Sequence, residues 1–173
     1  VVVDFLTLTS LLGRSLVDKN AQEVFSALGR CINFEDLGTL FKEFRDDGIY
    51  FEAQEKPKAK RGRRRRGGRL IRTICLFSKD YPGYSEYSGT LPGSVKFGES
   101  KNSVIEKLGN PFNVTSRKLP KPCTLLAYRD TNLTLNYEFD DSDCLFSVSA
   151  FKTPSEQELA KIRWKFRHTR ASL

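Results

Sequence analysis

Apolar positions along the chain recur with two periods, and the switches between them mark the expected elements. In "DKNAQEVFSALG" (18–29), Val24, Phe25 and Leu28 fall at helical spacing; Asp18 is placed to cap the first turn and Gly29 to end the last. "ESKNSVIEKLGNP" (99–111) repeats the plan, with Ser100 or Asn102 as cap, Val104, Ile105 and Leu108 on one face, and Gly109 and Pro111 as the stop. "CTLLAYR" (123–129), "LTLNYEF" (133–139) and "CLFSVSAF" (144–151) then read as three consecutive antiparallel strands, joined by the turns "DTN" and "DDSD". The middle strand alternates, with Leu133, Leu135, Tyr137 and Phe139 on one face and Thr134, Asn136 and Glu138 on the other. That alternation predicts one face against a helix layer and the other toward solvent or a partner.

The same order of blocks occurs twice. "EVFSALG" (23–29) parallels "SVIEKLG" (103–109), "EFRDDGIYFEA" (43–53) parallels "AYRDTNLTLNYEF" (127–139), and "RLIRTICLF" (69–77) parallels "DCLFSVSAF" (143–151). The expected architecture is therefore α+β, a helix-plus-antiparallel-sheet unit used in tandem with helices on one face of the sheet. The first unit spans 1–77, a connection rich in Tyr, Gly and Pro spans 78–97, the second unit spans 98–151, and a basic helix occupies 152–173. Between its last two strands the first unit carries "KPKAKRGRRRRGG" where the second has only "DDSD", so the basic stretch (insertion 56–69) reads as an enlarged hairpin loop.

Composition supports a folded chain: 173 residues, 39% hydrophobic, with thirteen Phe. The net charge of +8 is local, because Lys56 to Arg72 contains ten positive residues and no acid. Four cysteines, Cys31, Cys75, Cys123 and Cys144, stand far apart, and one histidine, His168, lies near the C-terminus. Widely spaced thiols of this kind are expected to be reduced and to hold no metal. No run of about 18 apolar residues predicts a transmembrane span. "VVVDFLTLTSLL" has neither a basic leader nor a small-residue cleavage site, so an intracellular, cytoplasmic location is expected.

The run from Tyr87 to Pro111 resembles a motif of small bacterial immunity-like proteins, through Tyr87, Gly89, Leu91, Pro92, Phe97, Ser100, Val104, Leu108, Gly109 and Pro111. Its core also resembles the helix of the SmpA/OmlA domain and, more distantly, the repeats of beta-lactamase inhibitor protein. The resemblance implies tandem units building one sheet with helices on one face, in proteins that serve mostly as binding scaffolds.

No G-x-S-x-G, Walker loop or H-E-x-x-H is present, and most Asp residues fall in predicted turns; neither catalysis nor a cofactor is expected. The expected function is non-catalytic binding of an acidic partner, RNA first, in a ribonucleoprotein assembly. The candidate contacts are Lys58, Lys60, Arg61, Arg63, Arg64, Arg65, Arg66 and Arg69 in the loop, and Lys165, Arg167 and Arg170 in the tail. Arginine favours bidentate phosphate contacts, and the glycines allow close approach; a bare solubilising loop is the simpler reading of the same residues. The alternative function is an immunity- or inhibitor-type protein that occupies a protein partner through its sheet face, with Tyr81, Tyr84, Tyr87 and Trp164 as contacts. Those tyrosines also suit packing of an irregular connection. The tail helix, with Leu159, Ile162 and Phe166 as its apolar stripe, either meets a partner or docks by that stripe on its own domain.

Overall fold

The computed structural model describes residues 2–55, 68–117, 122–130 and 132–153. Its centre is one antiparallel sheet of β1 (Ile32–Asp36), β2 (Thr39–Phe44), β3 (Ile49–Glu55), β4 (Arg69–Phe77), β5 (Asn113–Arg117), β6 (Cys123–Arg129), β7 (Leu133–Phe139) and β8 (Leu145–Lys152). Strand order across the sheet is β1-β2-β3-β4-β8-β7-β6-β5, so two four-strand meanders meet at their last strands. The fold is α+β, with few helices among the described residues: α1 (Phe5–Thr9), α2 (Lys19–Ala27) and α3 (Lys101–Leu108).

Both helix starts read from the sequence are present. Asp18 accepts from the Asn20 amide at 3.0 Å, and Ser100 Oγ accepts from the Ser103 amide at 3.3 Å, each satisfying a donor that the first turn leaves open. After α3, however, the chain forms four strands and not three. The added strand, β5, is an edge strand whose residues from Asn113 to Ser116 are exposed, so no alternation betrays it. The opening segment is a second departure. The stretch 1–12, for which the sequence predicts no element, supplies Phe5, Leu8, Leu11 and Leu12 to the core, and Leu16 follows them. Past α1, the chain runs beside the start of β4, where the Gly13 amide donates to the Ile71 carbonyl at 2.8 Å and the Leu16 amide to the Arg69 carbonyl at 3.0 Å.

Register sorts the side chains. Ile49 faces Leu76, Phe51 faces Ile74, Leu76 faces Val148, and Tyr137 also faces Val148, which puts these apolar residues on one side of the sheet. They form a single core with Ala21 and Val24 of α2 and Val104 of α3. Phe25 of α2 stacks on Phe44 at 5.7 Å and meets Phe51 edge-on at 5.1 Å. Burying Val104 fully is worth about 1.5–3 kcal/mol, and Ile105 and Leu108 add partly buried contacts that hold α3 on the core.

The basic stretch lies outside the described residues, but its flanks are fixed: Glu55 of β3 pairs with Arg69 of β4, so the segment joins adjacent strands. The tail from Pro154 onward also lies outside them. Among the described residues no helix is long and apolar enough to cross a membrane.

One turn fixes the connection that follows β4. Gly48, after the 3₁₀ turn Arg45–Asp47, has φ +67, and a Cβ there would sit 2.4 Å from the Ser85 carbonyl oxygen and 2.5 Å from the Tyr87 nitrogen. Around it the Ser85 amide donates to the Arg45 carbonyl at 2.8 Å and the Tyr87 amide to the Phe77 carbonyl at 2.9 Å. Gly48→Ala must both hold an unfavourable φ and displace backbone. It is expected to lower stability by about 2–4 kcal/mol, read as a shift of the urea midpoint.

Candidate functional site

The side of the sheet away from the helices carries a different chemistry. Across β1 to β4, seven rings follow one another: Phe34 stacks on Phe41 (4.6 Å), Phe41 on Tyr50 (5.6 Å), Tyr50 meets Phe77 (6.4 Å), Phe77 contacts Tyr81 (4.1 Å) and Tyr84 (4.3 Å), and Tyr81 stacks on Phe146 (5.9 Å). Strand pairing creates this row, since Phe34 lies opposite Phe41 and alternate residues of each strand share a face. Tyr81 and Tyr84 reach it from the connection that the Gly48 turn clamps.

Carboxylates lie among the rings. A cleft of about 510 Å³ is lined by Tyr50, Phe77, Tyr81, Tyr84 and Phe151, by Glu43, Glu52 and Glu138, and by no lysine or arginine among the described residues. Tyr50 donates its hydroxyl to Glu52 at 3.2 Å, and Tyr84 is hydrogen-bonded to Glu43. Glu43, 7% exposed, also receives the Arg45 Nε at 2.8 Å, while the rest of that guanidinium lies over the Tyr84 ring at 5.8 Å. The Arg45 pair is therefore a rim contact with one buried partner, and Glu52 and Glu138 are the carboxylates of the floor. Cys75 sits on the same floor. Burial, then Glu52 and Glu138, push its thiol well above the usual range.

The residues singled out from sequence divide clearly. Tyr81 and Tyr84 do stand on the open face. Tyr87 does not: it is 4% exposed, and its hydroxyl donates to the Val3 carbonyl at 2.8 Å, so the chain has turned it into the core. Arg69 is paired with Glu35 across the sheet. Lys58, Lys60, Arg61, Arg63, Arg64, Arg65, Arg66, Trp164, Lys165, Arg167 and Arg170 lie outside the described residues. Sequence reading missed Phe34, Phe41, Tyr50, Glu43 and Glu52, which are far apart along the chain and become neighbours only through strand register; it places Glu138 on the side away from the helix layer.

On the helix side, α1, α3, β6 and β7 border a larger apolar groove of about 850 Å³, lined by Leu91, Phe112, Leu135 and Tyr137 among others. The Tyr137 hydroxyl, buried there, has no hydrogen-bond partner among the described residues. The four cysteines are free thiols, and among the described residues no three His, Cys, Asp or Glu side chains converge as a metal site.

No family model matches the chain, and no curated protein matches it. Among solved structures it is similar to a cysteine-rich secretory protein from Staphylococcus aureus subsp. aureus Mu50, at 12% identity and a TM-score of 0.46. That likeness covers 82% of this chain and 44% of the other, so the chain spans under half of that protein's length.

Two measurements follow from the buried face. Cys75 is expected to react with iodoacetamide at pH 8 at least about tenfold more slowly in the folded chain than in urea, because the thiolate is the reactive form. Burial first, and then nearby carboxylates, hold the Tyr50 and Tyr84 hydroxyls protonated beyond their ordinary value of 10.0. Below that pH both states keep these protons. Above it the unfolded chain releases them while the folded chain does not, so the urea midpoint is expected to fall as pH rises past about 10.

Proposed function

We propose that this protein is a non-catalytic binding module that seats a protein partner on the aromatic, acidic face of its sheet, in the manner of an immunity or inhibitor protein. The observation that carries this reading is the continuous row of seven rings from Phe34 to Phe146 on the side of the sheet away from the helices, open at Phe34, half-buried along most of its length and buried at Phe77, with Glu43, Glu52 and Glu138 beside it. Aromatic side chains that are rigid and partly open to water are the usual anchors of protein interfaces. Carboxylates between them favour a partner that presents basic and apolar groups together.

The sheet order also supports a scaffold role. Two helix-then-four-strand units that meet at β4 and β8 are what we read as an ancient tandem duplication, of the kind the resemblance to SmpA/OmlA domains and beta-lactamase inhibitor protein implies. In that reading the joined meanders serve to make one face wide enough for a partner.

A second reading rests on a separate feature, the ten cations from Lys56 to Arg72. They would grip RNA by its phosphates, with affinity falling with salt at a slope of roughly −4 to −5 if about six phosphates are neutralised. The segment leaves the sheet beside the Glu55 and Arg69 pair, at the end of β4 opposite Phe77, so the two surfaces are separable by mutation.

Affinity capture by the full chain, identification of the bound species, and titration of that species decide between them. Phe34→Ala with Tyr84→Ala is expected to weaken a protein partner at least tenfold, about 1.4 kcal/mol, while serine at Arg63, Arg64, Arg65 and Arg66 leaves it unchanged. Loss of binding in the arginine variant alone, with RNA as the captured species, would replace the first reading by the second.

A further inference from the structure

A buried tyrosine nearly always rests its hydroxyl on a hydrogen-bond partner, because the group loses its water on folding. Two tyrosines on the helix side of the sheet obey this rule. Tyr87 donates to the Val3 carbonyl at 2.8 Å, and Tyr128 donates to the Gly109 carbonyl at 3.1 Å. Tyr137, whose ring meets that of Tyr128 edge-on at 5.6 Å, does not: it is fully buried, and its hydroxyl has no partner among the described residues. Burial, and then Tyr128, hold this hydroxyl protonated well above the usual tyrosine range, so it is a donor in want of an acceptor.

Tyr137 lines the groove of about 850 Å³ between α1, α3, β6 and β7. Phe5, Leu91, Leu108, Leu133 and Leu135 line it too, and their side chains offer only carbon. A buried water generally needs about three polar partners, which these side chains do not supply. The apolar surface continues outward, since Leu6 and Phe112 of the same groove are 78% and 53% exposed. The charged groups are exposed and stand at the rim. Asp4 is occupied by the Thr7 amide and hydroxyl, each at 2.8 Å, the Arg129 guanidinium lies over the Phe112 ring at 4.6 Å, and Asp130 stands beside them. Two carboxylates against one guanidinium give this rim no preference for an anion.

The walls are fixed in advance. The Tyr128 bond ties β6 to the end of α3, and the Tyr87 bond ties the opening segment to the connection. Gly93, at φ +68 in the 3₁₀ turn Pro92–Ser94, lets that turn close on α3, because a Cβ there would sit 2.2 Å from Leu108 Cδ2. A preformed apolar cleft with one polar group in its lining, within the usual range of about 300–1,000 Å³, has the character of a small-molecule site.

We propose that this groove binds an uncharged, largely apolar small molecule, with a carbonyl or ether oxygen accepting the hydrogen bond of the Tyr137 hydroxyl and hydrocarbon against Leu91, Leu135 and Phe112. The site lies on the opposite side of the sheet from the aromatic row, and the inference does not depend on what that row binds.

Prodan, an uncharged naphthalene dye with one ketone, is a suitable probe because its emission moves to the blue in apolar surroundings. The full chain is expected to bind one equivalent with a Kd in the micromolar range. Tyr137→Phe is expected to weaken prodan about fivefold, while the urea midpoint without dye stays the same or rises, because an unpaired buried group has been removed. Phe112→Ala, at the exposed mouth, is expected to weaken the dye as well; Phe34→Ala with Tyr84→Ala, on the other side of the sheet, leaves it unchanged. No binding at about 100 µM dye would overturn the proposal, as when a second copy or another part of the chain fills the groove. So would an unaltered affinity in Tyr137→Phe, or a lower urea midpoint in that variant, which would mean the hydroxyl already has a partner. Loss of the dye in the Phe34 and Tyr84 variant alone would place it on the aromatic row and overturn the proposal equally.

Discussion

The pairing of β4 with β8 is the constraint on which the rest of the molecule depends. Five residue pairs, Thr73 with Phe151 through Phe77 with Ser147, join the two meanders. Because side chains alternate, this seam serves both sides at once. Ile74, Leu76, Val148 and Ala150 enter the core, while Thr73, Cys75, Phe77, Ser147, Ser149 and Phe151 lie on the other side as the floor of the cleft. A slip of one residue would exchange these two sets, placing serines against α2 and isoleucine in water; the register is therefore enforced by the core and inherited by the cleft.

The charge of the chain and the charge of its sheet face have opposite signs, and this changes which partner is sensible. A net +8 suggests a protein that seeks anions. Yet the cations concentrate in the β3–β4 connection and the tail, and among the described residues the cleft is lined by three glutamates, one of them paired with Arg45 at its rim, and by no lysine or arginine. Average charge describes long-range attraction; recognition depends on the groups within a few ångströms, where Glu52 lies beside Tyr50 and Glu43 is already paired with Arg45.

Much of the fold was legible because it follows local rules. Asp18 and Ser100 announce helices through a donor that needs an acceptor, and the alternation from Leu133 to Phe139 announces a strand with an apolar and a polar side, though the polar side is half-buried at Asn136 and Glu138 and buried at Thr134. Edge strands gave no such signal: β1 is exposed along its whole length, and its side chains obey no inside-outside rule. The candidate site was legible only where it is local in sequence, at Tyr81 and Tyr84 and, through the alternation of one strand, at Glu138. Tyr87 continues their spacing of three, but beyond the Gly48 clamp the chain turns, and its ring goes inward. Phe34, Phe41, Tyr50 and Phe77 are brought together by registers across four strands, information that no window of the sequence contains.

The central seam also dictates an order of events. Leu76 finds its partner Val148 only after about 70 further residues have been made, so as the chain emerges the first meander must wait with one side of β4 unsatisfied. That side offers a row of unpaired amides and carbonyls flanked by Ile74, Leu76 and Phe77, a surface on which strands of other nascent chains can add. Rapid completion of the second meander is thus as much a protection against misassembly as it is the final step of folding.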